Sequence, residues 1–215
     1  MSTRPYKSTR REEAARATRA AILDAAGRLY VERGFGQTKL TDVAAAADVS
    51  LATVKVAFGT KKALLEEVLR ARLVDDADGR PLTRRESWRE MLAEPQPGAL
   101  IDRFVSLSSE LHQRSAQLIE AVAKAGAADP ELAEIARRGA EKRHADMSQV
   151  IAALEASGAL RPGLDAGAAA DILWALMAPS LYLQLTGDRG WSAEAWAEFV
   201  TAALRSALLA PSSGR

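Results

Sequence analysis

The sequence predicts an all-α protein, and three observations carry that expectation. Apolar residues recur at spacings of three and four, as in Ala21, Ile22, Ala25 and Leu29 with the Ala26–Tyr30 pair. The apolar segments are bounded by residues that start and stop helices: Ser50, Thr60, Asp129, Asp165 and Ser192 at starts, Gly34 at an end. No alternating run of strand length occurs, and no internal repeat.

Each helix follows from this pattern in order. The first is expected from about Ala14 to Arg33, stopped by Gly34. Thr41 is expected to cap a short helix through Ala47, and Ser50 a second through Phe58. Thr60 then caps a fourth, with Ala63, Leu64, Leu65, Val68 and Leu69 as its stripe, reaching about Asp76. The breakers "DGRPL" at Asp78–Leu82 and "EPQPG" at Glu94–Gly98 enclose a short helix bearing Trp88, Met91 and Leu92. A long helix is expected from about Ala99 to Ala125, and another from Asp129, with Pro130 first inside it, to near Gly158. Asp165 caps the next, to about Thr186, with a kink at Pro179 that frees the carbonyl near Ala175. Ser192 caps the last, to about Ala210. The tails, up to about Arg11 and after Pro211, are expected to be mobile.

Composition narrows the function. Of 215 residues, 48% are apolar and 27% charged, the balance of a soluble globular protein. There is no cysteine, hence no disulfide framework and no thiolate metal site, which fits a reducing, cytoplasmic setting. No uninterrupted apolar run of about 18 residues occurs, so no membrane span is expected. The opening residues carry no signal-peptide pattern. With two histidines, His112 and His144, neither a metal site nor a cofactor is expected. Nucleotide loops, dinucleotide fingerprints and nucleophile elbows are absent, and "GFGQTK" at Gly34–Lys39 is too short to cradle phosphate. The acids Glu131, Glu134 and Glu141 read as a solvated helix face. The chain is not expected to be an enzyme.

Charge is divided unevenly. Through Val74 the chain has 14 Lys and Arg against 8 Asp and Glu; the remainder has 15 against 20. A basic first third and an acidic remainder suggest that only the former meets a polyanion.

The stretch "TDVAAAADVSLATVKVAF" has the steric pattern of a helix-turn-helix. Ala44 is small enough for close helix packing. Asp48, four residues on, tolerates the left-handed turn. Val49 and Val54 plug the angle between the helices, while Val43 and Phe58 face the first helix. With "YVERGF" before it and "GTKKALL" after, the segment from about Ala17 to Val68 resembles the amino-terminal domain of the tetracycline-repressor (TetR) family of bacterial transcription regulators. The resemblance implies an arm and DNA-binding head over 1–59. Over 60–215 it implies a connector helix and a helical body that binds a small molecule and dimerises. Later segments, "ADPEL", "GALRPGLD", "ADILWALMAPSLYLQL" and "RGWSAEAW", also resemble bodies of that family. Two positions depart from its pattern: Lys55 stands where an aromatic is usual, and Asp48 where glycine is.

In this mode the second helix enters the major groove of double-stranded DNA. Leu51 and Ala52 are expected against thymine methyls, Thr53 on a base or phosphate, and Lys55 on a phosphate or guanine edge. Thr41 and Ser50 suit phosphates at helix starts, with Lys39 and Lys61 flanking the groove. Arg4, Lys7, Arg10 and Arg11 are expected along the backbone or in a minor groove.

One head reads few base pairs, so a homodimer is implied. Its interface is expected from Ile172, Leu173, Leu176, Leu181, Trp196, Phe199, Val200, Ala203 and Leu204, unless these complete the core of one chain. The candidate lining of an effector pocket is Trp88, Phe104, Leu107, Leu111, His112, Met147, Trp174, Met177 and Tyr182, each of which also suits core packing. The expected function is a ligand-released repressor with a mainly apolar effector. The rival is a helical ligand-binding or scaffolding protein whose head no longer binds DNA specifically.

Overall fold

The computed structural model describes residues 5–74 and 82–211. The expected stop near Asp76 and most of the Asp78–Leu82 breaker fall outside the described residues, as do Arg4 and the tail beyond Pro211. The chain divides into two compact units, Met1–Arg72 and Leu73–Arg215.

The first unit is built from α1 (Pro5–Glu32), α2 (Leu40–Ala46), α3 (Leu51–Phe58) and α4 (Lys61–Leu73). α1 starts at Pro5, well before the expected Ala14, so residues 5–11 belong to the helix. No glycine or further proline interrupts Tyr6–Glu13, and Pro5 sits where its missing N–H has no helical partner to lose. This stretch is polar all round, so it has no apolar period to reveal it. Four helices share one core: Ile22, Ala25, Ala26, Leu29 and Tyr30 of α1, Val43 and Ala44 of α2, Val54 and Phe58 of α3, and Leu64, Leu65 and Val68 of α4 are all buried. Each large side chain removed from water there contributes about 1.5–3 kcal/mol before entropy is counted.

Turn chemistry sets the angles. Gly34, at φ 81°, ends the chain's exit from α1. Thr38 is fully buried, and its hydroxyl lies 3.2 Å from the Leu29 carbonyl and 2.9 Å from that of Gly34, tying the turn to the end of α1. α2 begins at Leu40, with Lys39 as its cap residue, and the Lys39 N–H donates to Asp42 Oδ2 at 2.9 Å. Thr41 therefore lies inside the first turn and does not cap the helix, because Asp42 supplies the carboxylate that fixes the start one residue pair earlier. Asp48 adopts φ 53°, the left-handed conformation expected of it, and the Val49 N–H returns to the Ala44 carbonyl at 3.0 Å. Ser50 caps α3 by accepting the Thr53 N–H at 3.0 Å, and Thr60 caps α4 by accepting that of Ala63 at 3.1 Å.

The second unit contains a 3-10 turn at Leu82–Arg84, then α5 (Glu86–Leu92), α6 (Pro97–Ala125), α7 (Pro130–Ala156), α8 (Ala166–Leu176), α9 (Pro179–Leu183), a π turn at Gln184–Asp188, and α10 (Ala193–Leu208). Asp129, Asp165 and Ser192 cap α7, α8 and α10 as expected. One core joins them, from Trp88 and Phe104 through Ile151 and Leu173 to Val200 and Leu204. Leu160 and Leu209 pair as an isolated antiparallel bridge, and the Arg161 N–H donates to the Leu208 carbonyl at 2.8 Å. That bridge ties the end of α10 to the loop before α8.

The helix expected over Asp165–Thr186 is not merely kinked at Pro179; it is broken. α8 ends at Leu176, and α9 restarts with Pro179 in its first turn and Ala178 as cap. The proline ring excludes the backbone bond that would have continued the helix. By length and composition alone, Ala166–Asp188 is apolar enough to cross a membrane. Here it is interrupted, and Leu173, Met177 and Tyr182 join the core.

Replacing Asp48 by glycine relieves the cost of a left-handed non-glycine residue, and we expect a gain of up to about 1 kcal/mol. Asp48→Val should cost at least as much. Urea unfolding of the three proteins measures both.

Candidate nucleic-acid interface

The candidate surface is α3 and the residues around it. Val54 and Phe58 bury one face of α3 against the head. At 3.6 residues per turn, Ala52 and Val56 lie on the far side of the helix, and both are exposed. Lys55, also exposed, flanks that stripe on one side and Thr53 on the other. Leu51 is half-buried at the helix start. Ser50 and Thr53 share a hydroxyl–hydroxyl hydrogen bond of 2.8 Å, so both are engaged in the cap. Lys39 and Thr41 are exposed at the start of α2.

Lys61 opens α4 and is drawn back onto the head. Its ammonium sits 4.1 Å from the Phe35 ring centre and 3.4 Å from the Gly36 carbonyl. The cation is thus positioned by the α1–α2 turn instead of projecting on a loose stem. Tyr30, whose ring meets Phe35 at 5.4 Å, donates its hydroxyl to the Lys61 carbonyl at 3.4 Å. Burial raises the Tyr30 pKa, so the phenol remains a donor at neutral pH.

Sequence reasoning missed Arg19 and Val56. Arg19 is on α1, and its guanidinium lies 4.4 Å from the Phe58 ring centre. It donates to the Ala57 carbonyl at 3.3 Å and pairs with Glu67 of α4, which also pairs with Arg70. A cation at the carboxyl end of α3 complements the helix dipole. Periodicity could not reveal it, since it marks apolar residues. Val56 was available as an apolar residue off the buried stripe of α3.

Residues 22–68 match the family of bacterial regulatory proteins, tetR family. The match spans the α1 core, the two-helix motif and α4. Over these residues the head is similar to the amino-terminal domain of that family. No curated protein matches the chain. Among solved structures, the fold resembles NalD, the secondary repressor of the MexAB-OprM multidrug efflux pump in Pseudomonas aeruginosa, at 21% identity and TM-score 0.65 over 89% of this chain and 96% of NalD. It resembles SmeT in complex with triclosan at 20% identity and TM-score 0.66, over 93% and 95% of the chains. A Saccharomonospora viridis protein in complex with choline matches at 21% identity and TM-score 0.65, over 90% and 98%. At such identities the likeness concerns the fold.

In the second unit, most of the candidate pocket residues lie in the core. Trp88, Phe104, Met147, Met177 and Tyr182 are buried, and Leu107 and Trp174 pack against them, with Leu111 half-buried. Trp88 Nε1 donates to Gln149 Oε1 at 3.2 Å. His112 is buried where two aromatic residues meet: its ring centre lies 5.3 Å from those of Tyr182 and Trp196, which are 5.1 Å apart. Its Nε2 lies 3.0 Å from the Met177 carbonyl, exposed by the α8–α9 break. The acceptor requires a proton on Nε2. Burial lowers the His112 pKa to about 4, with Arg143 adding to the fall and the Met177 and Ser108 carbonyls opposing it.

The interior is more polar than composition suggested. Ser108, Ser109 and Ser115 are buried on α6 beside His112. The Nε of Arg143, which packs 5.2 Å from the Trp174 ring centre, and the Nε1 atoms of Trp174 and Trp196 are buried without a hydrogen-bond partner.

Four expected interface residues need correction. Leu173, Trp196, Val200 and Leu204 are at most 1% exposed within one chain, so they have no surface to give to a second. Their packing holds α8 and α10 in the core. Phe199 is exposed, and Ile172, Leu176, Leu181 and Ala203 are half-buried. Glu134 and Glu141 both pair with Arg137 on an exposed face of α7. Among the described residues no group of three acids or histidines gathers to hold a metal.

Arg19→Ala should destabilise the head by about 1–2 kcal/mol, by loss of the ring contact and the charged hydrogen bonds. Arg19→Lys should recover little of it, since lysine lacks the planar fork; thermal unfolding reads both. For His112, the unfolded ring takes up a proton near its ordinary pKa of 6.5 and the folded ring only near 4. Stability therefore falls as pH drops through that window, by at most about 1.4 kcal/mol per pH unit. His112→Gln should flatten the difference in urea stability between pH 7 and 5.

Proposed function

We propose that the chain is a dimeric transcriptional regulator that represses from a palindromic operator and is released by a small molecule. The observation that carries the reading is the outward face of α3. It is narrow, presents small or apolar side chains, and carries Lys55 along one border while its opposite face is locked into the head. Such a face fits a major groove, and the cations fit the phosphates beside it. Lys39, Lys55 and Lys61 are assigned to the backbone or groove edge, Leu51, Ala52 and Thr53 to the groove, and Ser50 and Thr41 to phosphates near the helix starts. Arg11 on α1 is assigned to the flanking backbone.

Dimerisation is supported by an exposed aromatic pair, Trp191 and Phe199, whose rings meet edge to face at 5.8 Å beside and on α10. With Ile172, Leu176, Leu181 and Ala203, they form the revised interface proposal. The effector reading rests on the body's core around His112. Three buried N–H groups without acceptors favour a mainly apolar molecule that carries an acceptor oxygen. It acts by binding the DNA-incompetent arrangement more tightly. SmeT with triclosan is an instance of a small molecule held by a protein of this fold.

Selection of bound duplexes from a random pool tests the function. The expected product is a palindrome protected by two chains. Affinity should fall by about a thousandfold or more between roughly 50 and 200 mM salt. Lys39→Ala should weaken all sequences alike, and Leu51→Ala should change the preferred bases. A chain that retains no duplex at low salt would overturn the proposal.

A further inference from the structure

Val56 is 90% exposed, whereas the other exposed large apolar residues among those described, Val31, Leu73, Trp191 and Phe199, range from 37% to 43%. It stands one helical turn beyond Ala52, on the side of α3 that faces away from Val54 and Phe58. A valine there gains nothing from the head's core, and it is a poorer helix former than alanine. α3 reads LATVKVAF, so its only polar side chains are Thr53 and Lys55. The Thr53 hydroxyl is bonded to that of Ser50. Lys55 is therefore the one long hydrogen-bonding side chain on the helix.

A helix so poor in hydrogen-bonding groups has little means of reading base edges by donors and acceptors. Its outermost line, Ala52 and Val56, offers methyl groups. In the major groove the complementary feature is the C5 methyl of thymine. Lys55 beside this line supplies an attraction to a polyanion that an isolated apolar patch lacks.

Building on the reading of the head as a DNA-binding module, we propose that Val56 is a specificity-determining residue, and that with Ala52 it selects bases by their C5 methyl groups. The preferred half-site then carries thymine under α3. The same chemistry makes binding sensitive to cytosine methylation, because 5-methylcytosine presents its methyl at the equivalent place.

The test uses the full chain and the duplex obtained by selection. Each dT is replaced singly by deoxyuridine, which removes the methyl and keeps the Watson–Crick pairing. At one or two positions per half-site the affinity should fall by about fourfold, the value of one buried methylene-sized group. Elsewhere it should not change. Val56→Ala, at an exposed site, should fold normally and should abolish the deoxyuridine penalty at one of those positions. At that position a 5-methylcytosine–guanine pair should bind more tightly than a cytosine–guanine pair. If the selected duplex binds tightly and no deoxyuridine replacement matters, methyl readout is overturned while DNA binding stands. A penalty that persists unchanged in Val56→Ala overturns the role of Val56. If no duplex is bound at low salt, the functional reading fails and this inference fails with it.

Discussion

The close packing of α2 and α3 about Val54 is the constraint on which the head depends. Val54 is fully buried, and it can be so only because Ala44 is small and Asp48 turns the chain left-handed between the helices. The Ser50 cap then begins α3 without wasted residues. From that orientation everything outward follows. The buried edge of α3 is fixed, so its opposite edge is fixed too. Under the proposed function, a surface that meets a regular lattice of phosphates and bases needs that kind of rigidity.

The second unit solves a different problem, that of a proline within its most apolar segment. The break before Pro179 exposes the Met177 carbonyl inside the core. A buried carbonyl without a partner is costly, and His112 answers it from α6. Tyr182 and Trp196 then close around the imidazole. The histidine is thus explained by backbone chemistry before any ligand is invoked. The same crowding leaves several N–H groups nearby without acceptors, which gives the core an unbalanced polarity.

The helix order, the caps at Ser50, Thr60, Asp129, Asp165 and Ser192, and the left-handed turn at Asp48 were legible in the sequence. Each rests on a local rule: a short side chain bonding a nearby amide, or a backbone conformation few residues accept. The misreadings have local causes as well. Threonine suits a cap, which is what Thr41 predicts, but Asp42 makes the bond that fixes the helix start at Lys39. Residues 5–13 form helix without an apolar stripe. What local rules cannot supply is who meets whom across the fold. The grip of Arg19 on Phe58 and Glu67 joins residues about forty to fifty apart, and the inward burial of Trp196 and Leu204 is settled by packing. An apolar helix face looks the same in sequence whether it fills its own core or a partner's.

The ties on α4 change how a signal has to travel. Lys61 is clasped by Phe35 and Gly36, Tyr30 reaches the Lys61 carbonyl, and Arg19 links Glu67 to the last turn of α3. These contacts straddle Gly59, the residue at which a flexible joint between α3 and α4 would be placed. The joint is splinted. A torque applied to α4 would therefore swing the four helices as one lever, and under the proposed function α3 would leave a groove by being carried off, not by being bent.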